Sequence, residues 1–145
     1  GEVLWRFGRD GDFTAISDDP WPWQSHQHDA SILDDGTLLV YDNGNTRRSA
    51  DSLARSRGQR WQLDESTMTA RLLLNADTGV YAPAVGSAQR LPNGGYHFNS
   101  GMIIYGPGIM EASSIETDAA GNPVWTFSTP AAQYRTFRMK DLYTP

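Results

Sequence analysis

Apolar positions fall in short alternating runs rich in Val, Leu, Tyr, Trp and Thr, and the runs end at Gly, Asn, Asp or Pro. A period of two marks half-buried strands rather than helices. The pattern predicts strands over residues 3–7, 29–33, 37–41, 59–64, 69–74, 86–91, 96–98, 112–117, 124–127 and 134–139. Between them, Asp35-Gly36, Asn43-Gly44, Asn93-Gly94 and Gly121-Asn122 supply residues that accept the positive φ of tight hairpin turns. Only 49–56 has helical composition, and it is short and polar. The chain is therefore expected to be all-β and antiparallel.

The pattern also repeats. Gly1-Glu2-Val3-Leu4-Trp5-Arg6-Phe7 matches Gly121-Asn122-Pro123-Val124-Trp125-Thr126-Phe127 at an offset of 120. A second echo pairs Leu33-Asp34-Asp35-Gly36 with Leu91-Pro92-Asn93-Gly94, whose glycines stand 58 positions apart. A third pairs Gln62-Leu63-Asp64 with the run ending at Asp118, 54 positions on. A period in the fifties, with about four strands per unit, is the size of a large propeller blade. The units divide as 1–24 (the end of one blade), 25–79 and 80–130 (a blade each) and 131–145 (the first strand of the next). That makes about two and a half blades, where propellers close with about 4–8. Residues 3–7 would be an outermost strand and 134–139 an innermost one, each without the rest of its sheet. Two copies that joined them would remove both edges, so a homo-oligomer, or blades supplied from elsewhere, is expected.

Composition narrows the class. Five Trp, six Tyr and five Phe among 145 residues provide a core and exclude a disordered chain, with Trp5, Trp61 and Trp125 of the candidate blade strands expected to be largely buried. No apolar run approaches the ~20 residues of a membrane-spanning helix, so no membrane partner is expected. A net charge of −5 argues against nucleic acid. All basic residues except Lys140 are arginines, the side chain suited to bidentate oxyanion recognition. The lack of cysteine excludes disulfides, thiolate metal sites and a cysteine nucleophile. Nothing calls for a cofactor. The start at Gly1 without a signal peptide suggests a processed or truncated piece.

Candidate chemistry concentrates in Ser25-His26-Gln27-His28-Asp29-Ala30 and in Asp42-Asn43-Gly44-Asn45-Thr46-Arg47. On a strand, His26 and His28 would share one face, as general acid, base or nucleophile, as zinc ligands, or as edge residues with ordinary hydrogen bonds. A hairpin can set Arg47 beside His28, a pairing suited to an anionic substrate. Alternatively, Asp42-Asn43-Gly44 is only a turn and Arg47 only solvated. Trp23, in Trp21-Pro22-Trp23, either walls an aromatic substrate or packs on a blade edge. The arginines at 47, 48, 55 and 57 form an oxyanion patch or a solvated loop. Asp118-Ala119-Ala120-Gly121-Asn122 lacks the spacing of a calcium loop and reads as a turn.

His28-Asp29-Ala30, Asp42-Asn43-Gly44, Ser56-Arg57, Gly86-Ser87-Ala88-Gln89-Arg90-Leu91-Pro92-Asn93-Gly94 and Tyr134-Arg135-Thr136-Phe137-Arg138 occur in this order and span nearly the whole chain. Together they resemble the C-terminal part of the arylsulfotransferase family. The resemblance implies a six-bladed-type propeller, a periplasmic or secreted location, and sulfate transfer from phenolic esters to phenols through a sulfated histidine. His28 matches the histidine before Asp-Ala, Arg47 the arginine after Asp-Asn-Gly, and Arg135 the C-terminal Tyr-Arg. Which histidine is sulfated stays open. His97 stands where members carry an aliphatic residue, and Gly95 where they carry Asn. The expected site is thus His28, His26 and Arg47 for the chemistry, with Arg135, Trp23 and His97 on a small aromatic sulfate or phenol. A non-enzymatic binding or assembly module on the same scaffold is the alternative.

Overall fold

The computed structural model describes residues 1–141. Among these described residues nine strands follow in chain order: β1 (Thr14–Ile16), β2 (His28–Ile32), β3 (Leu38–Asp42), β4 (Arg57–Asp64), β5 (Thr69–Asp77), β6 (Ser87–Arg90), β7 (Tyr96–Gly106), β8 (Ile109–Thr117) and β9 (Pro123–Thr129). One short helix, α1 (Asn45–Ala50), lies between β3 and β4, earlier than the 49–56 stretch of helical composition. The strands form two sheets, β1-β5-β4-β3-β2 and β6-β7-β8-β9. Within each, four consecutive strands make an antiparallel meander, and β1 adds to β5 in parallel. The fold is all-β, built of propeller-type antiparallel blades.

The sequence echoes have structural counterparts. In the β2–β3 turn Leu33 N–H donates to Thr37 O and Gly36 N–H to Leu33 O, both at 2.8 Å. In the β6–β7 turn Leu91 donates to Gly95 O at 2.9 Å and Gly94 to Leu91 O at 3.0 Å. Gly36 and Gly94 sit at φ 79° and 86°, where a side chain would be strained. The third echo places an aspartate at the β4–β5 and β8–β9 turns. Asp64 Oδ1 accepts from Ser66 N–H, and Asp118 Oδ1 from Ala120 and Asn122 N–H, each at 2.9 Å.

Alternation gives each sheet two faces, and the facing pair makes the main core. Leu39, Tyr41, Leu74 and Ala76 of the first sheet meet Ala88, Tyr96, Phe98 and Ile115 of the second. Tyr41, fully buried, donates its hydroxyl to Ser100 Oγ at 2.7 Å, and burial pushes its phenol up to about 12. The far face of the first sheet buries Phe13, Val40, Trp61 and Ala70, with Trp5, Phe7 and Trp23 packed against them.

Two expected strands and one expected core residue are corrected. Residues 3–7 form no strand. Trp5 and Phe7 instead insert edge-on against Phe13, with centroids 5.3 and 5.9 Å away, while β1 takes the β5 edge. Residues 134–139 form no strand either. Ser87 Oγ donates to Thr136 O, and Gln89 Oε1 accepts from Arg138 N–H, so side chains of β6 hold this segment across the face of the second sheet. Trp125 is 44% exposed rather than buried, because β9 is the open edge strand of its sheet.

Candidate functional site

The site gathers on the Asp42-Asn43-Gly44 turn, where β3 hands over to α1. Both Asp42 and Asn43 are fully buried. Burying a carboxylate is costly unless cations and donors surround it. Asp42 Oδ2 accepts from Arg47 Nη2 at 3.0 Å and from Arg57 Nε at 3.1 Å, and Oδ1 accepts from Ser25 N–H at 2.9 Å. Arg57 continues to Asp19 at 2.6 Å and to Trp21 O at 3.1 Å. Gly44, at φ 76°, lets the chain turn into α1 beneath the Arg47 guanidinium, which a Cβ there would strike at 2.6 Å.

Asn43 joins three loops. Its Nδ2 donates to Ala82 O at 2.7 Å and to Val85 O at 2.9 Å, while its Oδ1 lies 2.6 Å from His28 Nδ1. Its carbonyl accepts from Ser56 Oγ at 3.0 Å. His28 opens β2 opposite Tyr41 and is half-buried. The next residue, Asp29, sits at φ 53° beside a break in the β2–β3 register. Asp29 Oδ2 accepts from Ala88 N–H at 3.0 Å and Oδ1 pairs with Arg135 Nη1 at 2.9 Å. Each arginine therefore contacts a carboxylate one residue along the chain from a partner in the His28–Asn43 bond: Arg47 through Asp42, Arg135 through Asp29.

Not every expected residue joins this group. His26 is exposed, lies outside β2 and has φ 54°, so it does not share a strand face with His28. The positive φ at His26 and Asp29 breaks the alternation on which that expectation rested. Among the described residues no group of three or more His, Asp or Glu is placed to hold a metal ion. Trp23 stacks on Trp61 at 5.4 Å and 13°, within the core of the first sheet. His97 is buried on β7. Its Nε2 pairs with Thr136 Oγ1 at 2.9 Å, its Nδ1 lies 3.7 Å from Glu116, and it shares neither partner with His28. Burial pushes its imidazole below the ordinary 6.5, with Glu116 opposing and Arg138 adding to the fall.

Sequence reasoning missed Asn43 as a site residue and Asp42 as the carboxylate between two arginines. The signal was there: two polar residues directly after an apolar strand, with Ser56-Arg57 opening the next one. Read as a turn, Asp-Asn-Gly needs only a left-handed glycine. Nothing in that reading foretells burial.

Arg47 adds one chemical detail. Its Nη2 serves both Asp42 and the Arg55 carbonyl, yet its Nε is buried with no acceptor among the described residues.

The family description that matches this chain is arylsulfotransferase (ASST), over residues 2–138. A comparison with curated proteins finds no match.

Proposed function

The chain belongs to the arylsulfotransferase family, and on that premise we propose that His28 carries sulfate from a phenolic sulfate ester to a phenol. His28 Nε2 attacks sulfur, the S–O bond to the aryl group breaks, and the phenolate leaves with the bonding pair. The departed phenolate then takes the proton of the acceptor phenol, directly or through water, as the acceptor oxygen attacks the same sulfur. The N–S bond breaks and its electrons return to the imidazole. A histidine nucleophile divides one difficult transfer into two easier ones. Cations beside the sulfuryl oxygens stabilise the charge that builds in each step.

The observation that carries this reading is the His28–Asn43 contact at 2.6 Å, with Arg47 and Arg135 paired to Asp42 and Asp29, the residues next in the chain to its two partners. The test is incubation of the chain with 4-nitrophenyl sulfate and a phenol acceptor. Release of nitrophenolate that is lost in His28→Ala, with the fold intact by circular dichroism, supports the transfer. No release from a folded chain rejects it.

One observation favours the binding or assembly module instead. The charges of Arg47 and Arg57 are already met by Asp42 and Asp19, which leaves less net positive charge for a substrate. Under that reading aryl sulfate binds without turnover.

A further inference from the structure

We infer that Asn43 is a positioning residue: it holds the neutral His28 ring with its proton on Nδ1 and leaves the Nε2 lone pair as the reactive atom. The inference rests on the proposed histidine chemistry for its purpose, but not for its geometry.

The argument begins with two groups that can only accept. The Ala82 and Val85 carbonyl oxygens lie 2.7 and 2.9 Å from the same side-chain nitrogen of Asn43. Carbonyl oxygens carry no proton, so the atom between them must be the amide NH2, and both its hydrogens are used. The orientation of the amide is thereby fixed. Its remaining atom, facing His28 Nδ1 at 2.6 Å, must be the oxygen. An amide oxygen has no proton to give, so the imidazole nitrogen must supply one. In a neutral imidazole the other nitrogen then bears the lone pair. No hydrogen bond among the described residues reaches Nε2, and His28 is half-buried rather than enclosed.

The orientation of Asn43 is itself held in place. Asn43 is fully buried, Ser56 Oγ bonds its carbonyl, and the same hydroxyl accepts from Ala82 N–H at 3.0 Å. The loop that carries both acceptors is thus tied to the strand end that carries the donor. Val85, at φ 54°, turns its carbonyl toward the amide in a conformation that a β-branched residue adopts only under tertiary constraint. Free histidine in water prefers its proton on Nε2, so the arrangement reverses the intrinsic preference and its effect can be read directly.

Long-range proton–nitrogen correlation spectra of the folded chain with 15N-labelled histidine, at alkaline pH, provide the test. The expected result is an Nδ1–H ring for His28, reverting toward Nε2–H in Asn43→Ala. A wild-type ring protonated on Nε2 overturns the inference, as does an Nδ1–H ring that persists in a folded Asn43→Ala. If that variant does not fold, the wild-type spectrum alone decides. In the transfer assay, a folded Asn43→Ala should lose about a hundredfold or more in kcat, as a wrong tautomer does elsewhere, with KM little changed. An Nδ1–H ring in a chain that turns over no aryl sulfate upholds the inference and rejects the sulfate transfer, so the two failures are distinguishable.

Discussion

Gly58 and Phe98 meet across the two sheets with no room for a methyl group: a Cβ on Gly58 would lie 2.1 Å from the Phe98 ring. Gly58 stands on β4 and Phe98 on β7, inside the core that joins the blades. The φ of Gly58 is not positive, so its smallness, not its backbone freedom, is what the site uses. Gly58→Ala should therefore destabilise the fold by about 2–3 kcal/mol through overpacking, read as a lower urea midpoint. Adding Phe98→Leu should return part of that loss, since touching residues are non-additive. Strict additivity of the two changes would show that the sheets do not meet there.

The tryptophans separate core from edge. Trp61 is fully buried among Phe7, Trp23 and Val40, so Trp61→Ala should cost about 3–5 kcal/mol. Trp125 stacks on Phe127 at 6.0 Å on an edge strand, and Trp125→Ala should cost only about 1 kcal/mol. Equal losses in parallel denaturant melts would contradict the placement of β9.

This contrast also shows what was legible beforehand. Turn glycines and asparagines declared eight of the nine observed strands, and the echoes at Gly36/Gly94 and Asp64/Asp118 gave the blade repeat, because turn chemistry is local. Trp5 and Trp125 share an echo but not a role: one inserts into a sheet face and the other lines an open edge. Alternation cannot tell these apart, since both need aromatic residues two apart. β1 was missed for the opposite reason, being three residues long and paired in parallel. At the site, the His28 and Arg47 motifs were visible. The role of Asn43 depends on carbonyls some 40 positions later in the chain, at Ala82 and Val85, and no local pattern announces them.

Acid should expose His97. Its native pKa lies below the ordinary value of 6.5, first because it is buried, so the unfolded chain takes up this proton more readily. Both states are neutral well above 6.5, and His97 costs nothing there. As pH falls through 6.5 toward the native pKa, stability drops, and the loss levels off below it. Urea midpoints should thus decline between pH 7.5 and 5.5, and His97→Gln should flatten part of that slope. An unchanged slope in a folded variant would rule His97 out as the source.

Thr136 fastens the C-terminal segment to the second sheet. Its Oγ1 lies 2.9 Å from His97 Nε2 and 2.8 Å from Ser114 Oγ, and its backbone exchanges bonds with Ser87 Oγ. Thr136→Val keeps the shape and removes the hydroxyl, leaving His97 Nε2 without a partner at about 1–3 kcal/mol, while Ser114 Oγ keeps Asn99 Oδ1. Limited proteolysis after residue 130 should accelerate while the rest of the chain stays resistant. Uniform acceleration along the chain would mean that the segment unfolds only with the whole domain.

Arg47 and Arg57 both hold Asp42, yet their loss should be felt in different assays. Arg57, almost wholly buried, links Asp42 to Asp19, and Arg57→Ala leaves the buried Asp42 with one cation fewer and the half-buried Asp19 with none. A loss of about 3–5 kcal/mol in stability is expected. Arg47→Ala leaves Asp42 with Arg57 and the Ser25 N–H, so the fold should tolerate it far better. What Arg47→Ala removes is the buried Nε–H that lacks an acceptor. If the Arg47 guanidinium contacts the sulfuryl group, affinity for an aryl sulfate should fall about tenfold, the ~1.4 kcal/mol of one charge-assisted contact. Calorimetric titration checks this on the folded variant. Unchanged affinity would remove Arg47 from the substrate site and leave Arg135, held at 2.9 Å from Asp29, as the arginine to test next.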